Sequence, residues 1–232
     1  LWGYQMNQVD WEKMKEDVIV TNVIRVTNSS WFVTQSEYTI NIGSRTSGTY
    51  VNTQAIDSNF ESFRESPPPR SLDINGTFYI DVSNYPLAYI QSIEIRLRYR
   101  VDDTGEKWYL KAYNWASQAY SDNGFNSTSG HTPVAGWNNY AVKIVTGLSS
   151  YVLSDGKMLV KVHDQGPDNT RTTIDIDFLG VRALVNGTLY TFKNKSSFSS
   201  HLTSLWVNNS TVHRRYNMDV YVNSGETFSY QR

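Results

Sequence analysis

The hydrophobic residues of this chain repeat with two different periods. In residues 1–17 they return every three or four positions, as Trp2, Met6 and Val9 do, and this spacing predicts a short N-terminal helix. From residue 18 onward apolar and polar residues alternate, which is the period of a β-strand with one buried face. The pattern therefore predicts a helical stub followed by a β-protein.

The clearest strand covers residues 93–101. Its five apolar residues alternate strictly with charged residues, which are Glu94, Arg96, Arg98 and Arg100. The alternation predicts an antiparallel sheet with Ile95 and Leu97 in the core and the charged face in solvent. Turn-forming residues follow at 102–105, and we predict that residues 108–113 return as the hairpin partner of this strand.

Further alternating segments follow one another without helical segments between them. They cover residues 38–42, 72–82, 140–145, 157–163 and 172–185. Asn75-Gly76 predicts a turn or bulge inside one of them, and the polar residues 116–139 predict a long loop. We therefore predict an all-β fold, an antiparallel β-sandwich of the jelly-roll type, over residues 18–185.

The last part of the chain, residues 186–232, contains three or four more alternating segments. A unit of this size buries too little apolar surface to be stable alone. We therefore predict a small C-terminal β unit that packs on the sandwich.

Composition and charge exclude several classes of function. The net charge is −1, which lacks the basic surplus of a nucleic-acid binder, so we expect no nucleic-acid partner. The chain has no cysteine, which excludes thiol catalysis and thiolate metal sites. No apolar run reaches the roughly 18 residues of a membrane helix. Because the helical stub starts in the middle of its pattern, we expect an apolar membrane helix upstream of Leu1 in the natural precursor.

Six segments in the middle of the chain resemble, in their order, the galactose-binding-like jelly rolls of extracellular and carbohydrate-binding proteins. They cover residues 57–60, 93–99, 108–113, 136–140, 157–162 and 173–181, the last of which contains Ile-Asp-Ile-Asp-Phe. The flanks, at residues 2–18, 192–196 and 201–211, resemble archaeal surface proteins with pilin-like N-termini. The resemblance implies a jelly-roll fold and an extracellular or cell-surface location, and it assigns no catalytic residue.

Two groups of residues are of the types that catalysis uses. Asp175 and Asp177 lie two positions apart on one strand, with Cα atoms about 6.5–7 Å apart, within the range of the carboxylate pairs of glycosidases. His163 precedes Asp164 at a strand end. No Gly-x-Ser-x-Gly or His-Glu-x-x-His motif is present. We favour the interpretation that the two aspartates face solvent and that His163 makes a local hydrogen bond.

Calcium is the metal that the loops favour. Calcium takes about six to eight oxygen ligands, which Asp, Asn and backbone carbonyls supply. The candidates are Asp164, Asp168 and Asn169 around Gly166, and a second set consists of Asp102, Asp103 and Glu106. Jelly rolls of the resembled type often hold one structural calcium ion, and no other cofactor is expected. The alternative is that these residues only form turns.

Aromatic residues are concentrated around the predicted long loop. Sugar rings stack on aromatic side chains, while their hydroxyl groups take directional hydrogen bonds. The candidates for glycan binding are Tyr109, Tyr113, Trp115 and Trp137, from a wider group that includes Tyr120. The alternative is that these rings fill a large β-core and its margins.

Seven Asn-x-Ser/Thr acceptors predict surface glycosylation. They begin at Asn28, Asn75, Asn126, Asn186, Asn194, Asn208 and Asn209. Such triplets also arise by chance in a chain this rich in serine, threonine and asparagine.

The main functional hypothesis is a non-enzymatic extracellular ectodomain of a cell-surface or pilin-like appendage protein, which mediates adhesion or assembly. Its partners would be glycans or other surface subunits, including copies of itself. The alternative is a carbohydrate-binding module that recognises a polysaccharide, and the third hypothesis is a glycoside-acting enzyme. Saturable binding of a polysaccharide by a monomer would favour the module.

Overall fold

The structure is a computed structural model that describes residues 28–68 and 70–185 with their side chains. It also describes the backbone of residues 189–193, 200–209, 212–222 and 227–231. Asn28–Asn186 form one compact unit, and the strands after Asn186 belong to another. The helix predicted in residues 1–17 lies outside the described residues. Within the described part of the chain, no helix has the length and apolar character needed to cross a membrane.

The larger unit consists of strands joined by loops and short 3-10 helices. The strands are β1 Phe32–Val33, β2 Thr39–Ile42, β3 Ser44–Ser47, β4 Glu61–Arg64, β5 Asp73–Tyr79, β6 Ile90–Val101, β7 Trp108–Asn114, β8 Ala119–Ser121, β9 Asn138–Ile144, β10 Lys157–Asp164 and β11 Thr173–Val185. The 3-10 helices are Tyr50–Thr53, Leu87–Tyr89 and Leu148–Ser150.

These strands form two antiparallel sheets. The six-stranded sheet has the order β3-β4-β11-β6-β9, with β1 also paired to β11. The five-stranded sheet has the order β2-β5-β10-β7-β8. The prediction of an all-β antiparallel sandwich of the jelly-roll type is confirmed.

The core lies between the two sheets. Ile95 and Leu97 of β6 have 0% of their surface exposed, and they face it from the six-stranded sheet. Trp108 of β7 and Val160 of β10 are equally buried on the side of the five-stranded sheet. The inward orientation that the alternation predicts for Ile95 and Leu97 is therefore confirmed.

The predicted hairpin between β6 and β7 is wrong. β6 lies between β11 and β9 in one sheet, whereas β7 lies between β10 and β8 in the other. The segment 102–107 therefore crosses from one sheet to the other. Both strands bury their apolar faces in the same core from opposite sides, which two neighbouring strands of one sheet cannot do.

The predicted turn at Asn75-Gly76 is also wrong, because β5 runs through both residues. The ring of Tyr38 lies directly over Gly76, and a Cβ atom on Gly76 would stand 2.7 Å from the Tyr38 Cε1 atom. Glycine in this strand thus permits a close aromatic contact. The predicted long loop at 116–139 contains the short strand β8, and the backbone of His131 pairs with that of Trp108.

The charged face of β6 is covered rather than fully exposed. The side chains of Arg96, Arg98 and Arg100 are half-buried, and Glu94 is only 4% exposed. Aromatic rings from other parts of the chain lie over the guanidinium groups. We call this set the arginine–aromatic layer; it comprises Arg96, Arg98, Arg100, Arg182, Trp31, Phe60 and Trp137. The prediction of a sheet with one solvent face is therefore wrong for this sheet.

Cation–π contacts and ion pairs together hold this layer. The Trp31 ring lies 4.8 Å from the guanidinium of Arg96 and 4.6 Å from that of Arg182. Both arginines donate to Glu94, at 2.9 and 2.8 Å. Burial alone would raise the pKa of Glu94, but hydrogen bonds and charge from Arg182 and Arg96 outweigh burial and hold that pKa below its usual value.

The C-terminal part contributes four strands to the described structure. They are β12 Leu189–Lys193, β13 Ser200–Asn209, β14 Val212–Val222 and β15 Thr227–Gln231. β12 pairs with β15, and β13 pairs with β14, both in antiparallel fashion. The predicted packing of residues 186–232 on the sandwich stays a prediction.

Candidate functional site

Three aromatic side chains meet on the outer face of the five-stranded sheet. Tyr113 of β7 is paired in register with Tyr120 of β8, and their ring centroids are 5.2 Å apart. The ring of Trp115, directly after β7, lies 4.9 Å from that of Tyr113 at an angle of 71°. All three side chains are half-buried, so each keeps part of its surface in solvent. We call Tyr113, Trp115 and Tyr120 the aromatic cluster.

The sequence of β7 explains why the cluster faces outward. Successive side chains of a strand point to opposite faces, so Trp108 enters the core while Tyr109 and Tyr113 lie on the other side. The indole N–H of Trp115 donates to the backbone carbonyl of Tyr151 at 3.1 Å. This hydrogen bond fixes the position of the Trp115 ring beside Tyr113.

A charged pair borders the aromatic cluster. The Nζ atom of Lys161 in β10 lies 2.5 Å from the Oδ2 atom of Asp73 in β5, and 4.3 Å from the centroid of the Tyr120 ring. The side-chain amide of Asn41 donates to the other oxygen of Asp73 at 2.9 Å. Burial, together with the charges of Asp73 and Tyr113, raises the pKa of Tyr120 to about 12. The Tyr120 hydroxyl is therefore protonated at neutral pH and able to donate a hydrogen bond.

Tyr109 belongs to a separate contact on the same face. Its ring stacks on that of His163, with centroids 5.2 Å apart and an interplanar angle of 13°. Gly130 approaches so closely that a Cβ atom there would stand 2.6 Å from the Tyr109 Cε1 atom. The Nδ1 atom of His163 lies 2.6 Å from the backbone carbonyl oxygen of Asp164, and burial lowers the pKa of His163. Burial thus favours the neutral form of this histidine, and its bond to Asp164 is the local role that the sequence favours.

Trp137 lies on the outer face of the other sheet. It directly precedes β9, and its ring is 4.8 Å from the guanidinium of Arg98 and 4.9 Å from that of Arg100. The structure therefore does not bring Trp137 together with the other three glycan candidates. Trp137 is close to these residues in the sequence, but closeness in sequence does not determine on which sheet a side chain lies.

Asp175 and Asp177, the carboxylate pair on β11, are both engaged by arginines. Asp175 accepts a hydrogen bond from Arg100 Nε at 2.8 Å and another from Ser62 Oγ at 2.6 Å. Asp177 is 0% exposed; it pairs with Arg98 and accepts the backbone N–H of Ser58 at 2.6 Å. These partners tie both carboxylates to the arginine–aromatic layer rather than to a cleft.

Four of the six predicted calcium ligands are engaged in other hydrogen bonds, two of them within turns. Asp168 accepts the backbone N–H of Thr170 at 2.7 Å, and the carbonyl of Asn169 accepts a hydrogen bond from Arg70. In the other set, Asp102 accepts the N–H of Thr173 at 2.7 Å, and Asp103 accepts the N–H of Gly105 at 2.8 Å. The structure does not bring either loop together as a complete set of ligands.

One residue from each candidate set nevertheless meets a third acid that the sequence did not indicate. Asp164, Glu106 and Glu65 are all buried, and each offers an oxygen within 4.8 Å of the others. Burial and repulsion between these acids raise the pKa of Glu65 to about 7 and that of Glu106 to about 8. We call these three residues the acidic cluster. The arrangement suits a hard cation with oxygen ligands.

The predicted glycosylation acceptors fall in different environments. Asn28 and Asn126 are exposed, and Asn75 is half-buried on β5. Asn186 and Asn194 lie outside the described residues. Asn208 and Asn209 lie in β13, whose backbone alone is described. Glycosylation of these positions stays a prediction.

The sequence profile of the N-terminal glycosyl-hydrolase-114-associated domain matches residues 52–178, which is more than half of the 232 residues. This chain belongs to that family. The matched segment of this chain runs from the 3-10 helix before β4 into β11, and it includes the aromatic cluster and the acidic cluster. Among curated proteins, no significant match is found.

Several solved structures are similar to this family member. The xylan-binding domain CBM22-1 of Paenibacillus barcinonensis Xyn10C is 9% identical, with 73% of this chain and 100% of that chain covered and a TM-score of 0.35. The family 11 carbohydrate-binding module of a cellulosomal cellulase of Clostridium thermocellum is 7% identical, with 71% and 94% covered and a TM-score of 0.34. The enzymatically active domain of tailspike protein 4 of bacteriophage CBA120 is 11% identical, and this chain spans 20% of it, with 65% of this chain covered and a TM-score of 0.37.

Proposed function

We propose that this family member is a carbohydrate-binding domain and that a polysaccharide lies across the outer face of its five-stranded sheet. The observation that carries the proposal is the convergence of Tyr113, Trp115 and Tyr120 beside the pair Lys161 and Asp73. The association with glycosyl hydrolases in the family's description supports the same class of ligand. The proposal therefore favours the carbohydrate-binding alternative over the surface-appendage hypothesis.

In this proposal the aromatic cluster and the pair Lys161 and Asp73 contact different parts of a sugar. The C–H groups of a sugar ring pack on aromatic side chains, which supply large rigid contact surfaces. Lys161 donates hydrogen bonds and Asp73 accepts them, so together they satisfy hydroxyl groups of either orientation. Because Lys161 is already held by Asp73 and Tyr120, little conformational entropy is lost when a ligand binds.

The domain's role in this proposal is non-catalytic. It holds a polysaccharide outside the cell so that an associated glycosyl hydrolase meets its substrate at high local concentration. The engagement of Asp175 by Arg100 and of Asp177 by Arg98 supports a role without acid–base catalysis. Assembly with other surface subunits, a pilin-like context and an upstream membrane helix stay predictions of the sequence.

The test is isothermal titration calorimetry of the purified chain against a panel of soluble polysaccharides. We expect saturable binding to at least one of them, and we expect Tyr113→Ala to weaken that binding at least about tenfold. The reason is that Tyr113 contacts both other rings, so its loss removes one platform and disorders two. Circular dichroism melts confirm that the variant is folded at the titration temperature.

Trp137→Ala provides the matched control, because it removes an aromatic ring from the outer face of the other sheet. We expect its affinity for the same polysaccharide to stay within about twofold of the original, a change well below the tenfold step of about 1.4 kcal/mol. Absence of binding to every polysaccharide, or an equal loss in both variants, would contradict the proposed site.

A further inference from the structure

Three carboxylates from three separate parts of the chain meet inside one end of the sandwich. Glu65 directly follows β4, Glu106 lies in the crossing from β6 to β7, and Asp164 ends β10. They are 0%, 1% and 1% exposed, and each has an oxygen within 4.8 Å of the other two. β4 belongs to the six-stranded sheet and β10 to the five-stranded sheet, so this acidic cluster joins both layers of the fold.

The hydrogen bonds of the acidic cluster leave several oxygens without a partner. Asp164 is held firmly, because it accepts the N–H of Leu72, the hydroxyl of Ser71 and the N–H of Gly166. Glu65 accepts the N–H of Thr172 at 2.8 Å through Oε2, but its Oε1 has no partner.

No backbone N–H, hydroxyl or basic side chain of the described residues donates to Glu106, and the acids that face it within 4.8 Å are Glu65 and Asp164. Both of its carboxylate oxygens are buried and unpaired. No ion pair with lysine or arginine is found for any of the three acids among the described residues. Burying an unpaired carboxylate is costly, and buried charges in proteins are normally paired or coordinate a metal ion. Without such a partner the acids must hold protons, in line with the raised pKa values of Glu65 and Glu106, whereas a cation that reaches all three would let them ionise.

We propose that Glu65, Glu106 and Asp164 bind a calcium ion that ties the two sheets together at this end of the sandwich. All the available ligand atoms are oxygens, which favours a hard cation over zinc or copper. The three carboxylates offer up to six oxygens, which approaches the coordination number of calcium. Magnesium keeps several of its water molecules, and so fully buried a cluster has little room for them.

The ion would act mainly on the crossing between β6 and β7. Glu106 is the only member of the cluster in that crossing, and it precedes Trp108 and Tyr109, with which β7 begins. A calcium ion would hold this crossing against the ends of β4 and β10. This role is independent of the proposed glycan site, which lies further along β7 at the aromatic cluster.

The test is the thermal unfolding of the complete chain after treatment with a chelator, with and without added calcium. At a calcium concentration about one hundred times the dissociation constant, we expect the unfolding midpoint to rise by about 5–10 °C. Isothermal titration with calcium should give one ion bound per chain. Absence of both effects, or an equal rise with magnesium, would overturn the assignment to calcium.

Two variants locate the ion. Glu106→Gln should abolish the calcium-dependent rise, while its midpoint without calcium stays equal or increases, because a neutral amide does not repel Glu65 and Asp164. Asp168→Asn, at the neighbouring turn, should keep the full rise. If Glu106→Gln keeps the calcium-dependent rise in the unfolding midpoint and Asp168→Asn loses it, the assignment to these residues is overturned. If Glu106→Gln does not fold, Glu65→Gln takes its place, with loss of the rise expected.

Discussion

Replacing Arg98 with methionine is expected to lower the free energy of unfolding by about 3–5 kcal/mol. Arg98 pairs with Asp177, whose side chain is 0% exposed, and it also stacks on Trp137. Methionine keeps most of the aliphatic contact but leaves the buried aspartate without its cation. The cost of an unpaired buried charge dominates this loss. Urea unfolding followed by tryptophan fluorescence measures it.

Arg100→Met is the matched control for this prediction. Arg100 lies two positions further on the same face of β6, but its pair with Asp175 is more open, with 41% and 18% of the two side chains exposed. We expect Arg100→Met to lower the free energy of unfolding by about 1 kcal/mol, as for other pairs near the surface. The double variant Arg98→Met with Asp177→Asn should be more stable than the sum of the single changes predicts. Equal and small losses for Arg98 and Arg100 would show that the layer is open to solvent.

Truncating Leu97 to alanine is the second change with a large expected effect, a loss of about 2–5 kcal/mol. Leu97 is 0% exposed and lies between Leu179 of β11 and Tyr140 of β9. Because both neighbouring strands hold their register through backbone hydrogen bonds, the space left by the side chain cannot close. The resulting cavity accounts for the upper part of this range.

Lys143→Ala on β9 is the control for Leu97, since Lys143 is exposed on the neighbouring strand. We expect Lys143→Ala to change the free energy of unfolding by no more than about 0.5 kcal/mol. Arg96 does not serve as a control, because it stacks on Trp31 and pairs with Glu94. Unfolding curves of the two variants, measured side by side, give the contrast. A loss for Leu97→Ala no larger than that for Lys143→Ala would place this face of β6 outside the core.

The sequence predicts well what depends on local alternation. It places Ile95 and Leu97 in the core, and the same strand period accounts for the outward position of Tyr109 and Tyr113. It does not predict which sheet a strand joins. The turn after β6 is compatible with a hairpin and with a crossing to the other sheet, and only the shared core selects the crossing.

Features assembled from distant parts of the chain are beyond this kind of prediction. Trp31 and Phe60 cover the arginines of β6 from segments more than thirty residues away in the sequence. Glu65 and Glu106 belong to separate connections, and no spacing links them. In both cases the sequence shows a charged side chain, but long-range packing decides whether that side chain meets water, an aromatic ring or another acid.

The alternation in β7 has a consequence for how new specificities arise on this fold. Its inward residues, such as Trp108 and Ala112, lie in the core between the two sheets, whereas its outward residues Tyr109 and Tyr113 pack on rings of the outer face. Changes in the two sets share few partners, so their energetic effects are nearly additive. Under the proposed function, a lineage of such domains could exchange one outward ring after another, and thereby its preferred ligand, at little cost to the stability of the scaffold.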